Sequence, residues 1–193
     1  MSHRVKNLLA IASGLTQITS RSSESVEGMT KQLTNRLTAF GRAHDLVRPL
    51  PNVLGCAALL GDIISVLLAP YDEQGAFAGR IRVAVPRLGV GEVAATGLAL
   101  VIHELATNSL KYGALSSHEG TLDVSGTVVG DDVEIQWTER GGPHVTKPDG
   151  PGGYGSKLLH RTLARNLGGG LEYDWPKEGL VVRLTIAGSR LSS

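Results

Sequence analysis

Residues 98–112 read LALVIHELATNSLKY. This is a helical stretch that looks built for burial and still carries a carboxylate, an amide and an ammonium. Successive helical residues turn by about 100°. Glu104, Asn108 and Lys111 therefore share one face, at i, i+4 and i+7. Leu98, Ile102 and Leu105 form a separate apolar stripe roughly a third of a turn away. An amide oxygen suits magnesium, an ammonium suits phosphate, and a carboxylate can orient water or a hydroxyl. Taken alone, the trio reads equally as the solvated stripe of an amphipathic helix. About forty residues later comes a glycine cluster, GGYGSKLL at 152–159.

The chain of 193 residues fits one large or two small domains. Apolar residues make up 41%, enough for a core, but aromatics only 4%, so Leu, Val, Ile and Ala must fill it. A net charge of +1 excludes the strongly basic footprint of a nucleic-acid binder. The single cysteine, Cys56, excludes an internal disulfide and a multi-cysteine metal site, which fits a reducing cytoplasm. No uninterrupted apolar run reaches the ~20 residues that span a bilayer. Met1 is followed at once by Ser-His-Arg-Val-Lys, so no signal peptide is expected.

Along residues 2–20, Val5, Leu8, Leu9, Ile11, Ala12, Leu15 and Ile18 recur at helical spacing. A polar break follows, SRSSES, where Ser23 or Ser25 suits a helix cap. Val26, Met29, Leu33, Leu37 and Phe40 repeat the helical pattern. Two such helices read as an antiparallel hairpin, which predicts pairing with a second copy into a four-helix bundle. Arg48-Pro49-Leu50-Pro51 ends the second helix and divides the chain into 1–48 and 49–193.

In the second part, Cys56–Leu68 predicts an apolar helix ended by Pro70. Arg80–Pro86 alternates and predicts a strand. A helix is expected over Glu92–Tyr112, stopped by Gly113. Gly120–Val129 and Val133–Thr138 predict a strand hairpin. Residues 139–155 hold six glycines and three prolines in seventeen positions, a loop of the kind that often forms a lid. Ser156–Leu167 predicts a helix closed by Gly168-Gly169-Gly170. Leu171–Trp175 and Leu180–Ile186 are the final strands. The expected class is α+β: a helical hairpin, then a two-layer sandwich with largely sequential antiparallel strands and helices on one face.

His3 lies in His-Arg-Val-Lys-Asn and, with Val5, Leu8 and Ala12 facing a core, points to solvent. An exposed helical histidine usually has no task, but a neutral imidazole is also a competent phosphoryl acceptor. Asn7 shares its face, and Arg4 and Lys6 add positive charge. Trp137-Thr138-Glu139 ends a strand and runs into Arg140-Gly141-Gly142-Pro143. A carboxylate there can accept a purine's exocyclic amine, with glycines letting the backbone approach the ring. It reads as well as a polar strand end before a turn. Gly153-Tyr154-Gly155-Ser156 precedes a helix, whose first amides can meet phosphate oxygens. It is neither a P-loop nor a Rossmann fingerprint.

Together these motifs run His-Arg-x-Lys-Asn, His-Glu-Leu-x-Thr-Asn-x-x-Lys-Tyr-Gly, Trp-x-Glu-x-Gly-Gly-Pro and Gly-Tyr-Gly-Ser-x-Leu. In this order the chain resembles the HWE-type sensor histidine kinases over essentially all its residues. The resemblance implies a dimerisation and phosphoacceptor hairpin followed by an ATP-binding domain of the Bergerat (GHKL) type. It implies that His3 is the autophosphorylated histidine, that Asn108 is the magnesium ligand, and that Glu104 is the catalytic carboxylate one turn before it. Lys111 and Tyr112 would lie near the phosphates or sugar. Glu139 would stand where most such kinases use Asp to read adenine, with Gly141 and Gly142 beside it. Residues 143–152 would form the ATP lid, closed by the box of Gly153, Gly155, Ser156 and Leu158. Tyr154 stands where such boxes often carry Phe. His103 and Trp137 give the family its name, and His103 is grouped with the nucleotide-site residues.

The resemblance further implies ATP and Mg2+ as cofactors, a response-regulator receiver domain as partner, a homodimer, and a cytoplasmic location. His3 sits almost at the chain start, so the chain resembles the core of a longer protein with an upstream sensor domain. Three other readings stay open. One is a histidine phosphotransferase or response-regulator phosphatase without ATP turnover, which retention of Asn108 and the box glycines opposes. A second is a dimeric docking module. The third is a GHKL protein kinase of the anti-sigma kind, which would lack the His3 hairpin.

Overall fold

In this computed structural model the structure describes residues 9, 12–17, 19–20, 23, 25–47, 58–72, 79–146 and 159–192. Residues 12–17 and 19–20 are helical, with Leu15 buried. Helix α1 spans Val26–Val47. Ser25 starts it: its Oγ accepts from the Gly28 amide at 3.0 Å, one of the two caps anticipated. The predicted boundary at 48–52 and His3 lie outside the described residues.

Strand β1 (Ala58–Leu59) leads directly into helix α2 (Leu60–Asp72). The predicted helix therefore begins later than expected and runs past Pro70, which sits in its last turn. The proline has no N–H to bond the Val66 carbonyl, so the last turn forms with one backbone bond fewer. Beyond it Tyr71 is fixed by a long-range hydrogen bond, and Asp72 accepts from the Arg80 amide at 3.1 Å. Strands β2 (Ile81–Ala84) and β3 (Gly89–Val90) follow, then helix α3 over Glu92–Tyr112, the bounds expected from the sequence. A 3-10 turn over Ala114–Ser116 leads to β4 (Thr121–Val129) and β5 (Asp132–Arg140). Helical residues 159–162 continue into a π-helical turn, Leu163–Leu167, closed by the left-handed Gly168. Strands β6 (Leu171–Asp174) and β7 (Val181–Ala187) and a final turn of helix, α4 (Gly188–Leu191), complete the fold.

The main sheet has the order β2-β4-β5-β7-β6. Its pairs are antiparallel except β2 with β4, which are parallel with Ile81 opposite Leu122. That pair is a departure from the expected antiparallel run. A strand, a helix and a strand in succession give a crossover connection, and α3 is that crossover. β1 and β3 form a separate two-stranded ladder.

The sheet's inward face is set by alternation: Leu122 and Val124 on β4, Val133, Ile135 and Trp137 on β5, Val182, Leu184 and Ile186 on β7. These residues join one core with Ile63, Ile64, Leu67 and Leu68 of α2 and with α3. From Ala94 to Ala106 every residue of α3 is buried. A helix enclosed on all sides is apolar around its circumference. By length and composition α3 is also apolar enough to cross a membrane, but 72% of that stretch is buried inside the molecule. It is the central helix of the core.

What closes the outer side of α3 is α1. Ala39 and Ala43, both buried, belong to the same core. Arg36 pairs with Glu104 and His44 with Glu92, so the two helices run antiparallel. The second helix of the predicted hairpin thus covers one of its faces within the chain. Val26 and Leu37 remain exposed on it.

Candidate functional site

Asn108, Lys111 and Tyr112 occupy the last two turns of α3, and all three are exposed. Glu104, one turn earlier on the same face, is buried, and its Oε1 accepts from Arg36 Nε at 2.6 Å. Arg36 also donates through Nη1 to Thr19 Oγ1 at 2.6 Å. The expected single stripe is therefore divided. Its first carboxylate faces α1 in an ion pair that water scarcely reaches, while its amide and ammonium are exposed.

His103 is buried beside Glu104, and its Nδ1 shares a hydrogen bond with Tyr71 Oη of α2 at 2.7 Å. Burial pushes the imidazole below the usual histidine range; Arg36 and Lys111 add to this and Glu104 opposes it. Burial likewise pushes the Tyr71 hydroxyl above the usual tyrosine range. The neutral imidazole thus fastens α2 to α3.

Glu139 lies near the end of β5, 3% exposed. Its Oε2 accepts from the Ala114 amide at 2.7 Å and its Oε1 from Trp137 Nε1 at 2.8 Å. The Ala114 amide starts the turn that follows α3. Ser109 satisfies the amides on either side, with its backbone oxygen accepting from Gly113 and its hydroxyl from Leu115. One carboxylate thereby joins the end of the Asn108 helix to the Trp-x-Glu strand, across 25 residues of sequence.

Gly141 and Gly142 continue from β5 under this turn. Gly141 has φ +71°, in the left-handed region that glycine favours. A Cβ on Gly142 would stand 2.6 Å from Ala114 Cα, so the two backbones meet without side chains between them. Gly153, Gly155, Ser156 and Leu158 lie outside the described residues. Of the predicted site, Glu139 and Gly142 meet the turn at Gly113 and Ala114, which directly follows the helix end that carries Asn108, Lys111 and Tyr112. Tyr71 and Arg36, which hold His103 and Glu104, were not anticipated.

The residues present fit magnesium nucleotide. The Asn108 amide is a hard oxygen donor, Lys111 a point charge for phosphate, and Glu139 an acceptor for a base amino group. Among the described residues no cluster of three or more His, Cys, Asp or Glu could hold a metal. A magnesium ion at Asn108 would therefore take most ligands from phosphate and water.

Comparison with known proteins identifies the class. The histidine kinase domain of a blue-light activated histidine kinase from Erythrobacter litoralis superposes with a TM-score of 0.64 at 17% identity, covering 95% of this chain and 97% of that one. The histidine kinase AdeS of Acinetobacter baumannii matches with a TM-score of 0.53 at 17% identity, over 97% of this chain and 98% of the other. The fold is that of the GHKL-type histidine kinase domains. Residues 1–86 match the sequence profile of the HWE histidine kinases. The chain is 31% identical over 189 residues to Blue-light-activated histidine kinase 1 of Erythrobacter litoralis, and 32% identical over 186 residues to Blue-light-activated histidine kinase of Brucella ovis. These alignments cover 96% and 94% of this chain, but only 51% and 37% of the relatives. The chain thus spans about half or less of the curated proteins it matches. It belongs to the HWE histidine kinase family.

Proposed function

We propose that this chain is the catalytic core of a sensor histidine kinase, which autophosphorylates His3 with Mg-ATP and passes the phosphoryl group to an aspartate of a response-regulator receiver domain. The observation that carries the reading is the Ala114–Glu139 bond, which ties the helix of Asn108 and Lys111 to the strand of Glu139. One end of the molecule then offers a metal donor, a phosphate partner and a base acceptor.

In this reading ATP supplies the phosphoryl group and magnesium offsets its charge. Asn108 holds the metal, Lys111 meets the phosphates, and Tyr112 borders them. Glu139 accepts from the base, with Gly141 and Gly142 leaving room for it. Gly153, Gly155, Ser156 and Leu158 close the lid of residues 143–152. The His3 imidazole nitrogen forms the new N–P bond as the bond to the bridging oxygen breaks, ADP takes that electron pair, and the ring's N–H proton goes to a base. Glu104 is the catalytic carboxylate, and its partner Arg36 must release it first. That release accompanies movement of the 1–48 hairpin against the 49–193 domain. The hairpin's exposed Val26 and Leu37 support a homodimer through it. Such a core works in the cytoplasm, where ATP and receiver domains are.

The test is His3→Gln with γ-labelled ATP. Loss of acid-labile phosphate, with ADP affinity unchanged, is the expected result. Phosphate retained on the variant would overturn the acceptor. The exposure of Asn108 and Lys111 favours this reading over a phosphotransferase that makes no use of ATP.

A further inference from the structure

We propose that Trp137 is the positioning residue for Glu139, and that its indole N–H sets how well the pocket prefers a purine bearing a six-amino group. The inference rests on the reading of Glu139 as the base acceptor.

Trp137 and Glu139 are two apart on β5, so their side chains share a face. The indole is fully buried, with Val124 and Val182 as its cross-strand neighbours, and it has no freedom to turn. From that fixed position Nε1 donates to Glu139 Oε1 at 2.8 Å. The Ala114 amide holds the other oxygen at 2.7 Å. A Cβ on Gly113 would stand 2.0 Å from Oε2, so nothing but backbone separates the carboxylate from the end of α3.

A carboxylate has roughly four lone-pair positions. Two are taken here, one on each oxygen, by donors from opposite sides. The plane of the group is therefore fixed before any ligand arrives, and its remaining positions accept only. A purine amino group satisfies them, whereas a bare six-position leaves them unmet. Glutamate carries one methylene more than aspartate and so one more rotatable bond. The indole N–H removes that freedom, and preorganised acceptors bind better than mobile ones.

The experiment measures calorimetric affinities of the full chain for ADP and for purine riboside diphosphate, which lacks only the amino group. Glu139→Gln tests the underlying reading: the ADP preference should collapse. Trp137→Phe tests the positioning: ADP affinity should fall about tenfold, the scale of one hydrogen bond to an ionised group, with little change for the analogue. Phenylalanine is smaller than the buried indole, so a benzothiophene isostere at position 137, which lacks only the N–H, is measured alongside. Preference kept in the Gln variant would sink the base-acceptor reading itself. Preference lost there but kept in both position-137 variants would overturn the role of Trp137 and leave Glu139 standing. A merely structural tryptophan would weaken both ligands alike.

Discussion

Arg36 of α1 donates to Glu104 of α3 at 2.6 Å, in an ion pair whose side chains are 6% and 9% exposed. Removing one partner of such a pair strands the other as an unmatched buried charge. Arg36→Met should therefore cost about 3 kcal/mol of stability. The double variant with Glu104→Gln should recover more than half of the loss, because no charge is left behind. Urea unfolding of the four proteins measures this; purely additive losses would show that the two side chains do not communicate.

The Tyr71–His103 bond gives stability a pH dependence at both ends. His103 has its folded-state value lowered, so the unfolded chain binds more protons in the window from about 6.5 down to that lowered value. Stability should fall as pH falls through this window. Tyr71 is shifted upward, so its share is intact below about 10 and is lost as pH rises beyond. Thermal unfolding from pH 8 to 5 should be flatter in His103→Gln than in the parent, and from pH 9 to 11 flatter in Tyr71→Phe. Parallel curves would remove these groups from the account.

Asn108 is exposed and has no side-chain hydrogen bond among the described residues. Asn108→Ala should leave stability within about 0.5 kcal/mol of the parent. Magnesium-dependent ADP affinity should fall at least tenfold, while metal-free affinity changes little. Calorimetry with and without magnesium distinguishes this from a general loss of the pocket.

Gly142→Ala asks how tightly the turn after α3 is packed. The added carbon would meet backbone atoms at 2.6 and 2.7 Å, and backbone does not give way as a side-chain tip does. A loss of about 2 kcal/mol or more is expected, together with weaker ADP binding. Unchanged melting would mean that the loop from β5 can shift freely.

The sequence shows α3 end to end because its pattern is uninterrupted and Gly113 stops it. The β4–β5 hairpin is as plain, with alternating residues on both sides of Gly130-Asp131. Pro70 misled, since the helix runs two residues past it, to an end where Tyr71 and Asp72 are held by hydrogen bonds from outside the helix. The parallel β2–β4 pair was open to inference from strand, helix, strand in succession, but alternation alone does not give strand direction. Arg36 and Glu104 are 68 residues apart, and Tyr71 and His103 are 32 apart. Neither pair leaves a local trace, because each exists only once the helices pack. The Trp137–Glu139 bond did leave one: a donor and an acceptor two apart on a strand must lie on the same side.

The sheet's borders bear on how the chain avoids sticking to itself. Unpaired strand edges invite foreign strands, and short, charged borders discourage them. β2 and β6 are each four residues long; Arg82 projects from one and Glu172 and Asp174 from the other, all exposed. Among the described residues the sheet therefore offers a poor template for fibril growth.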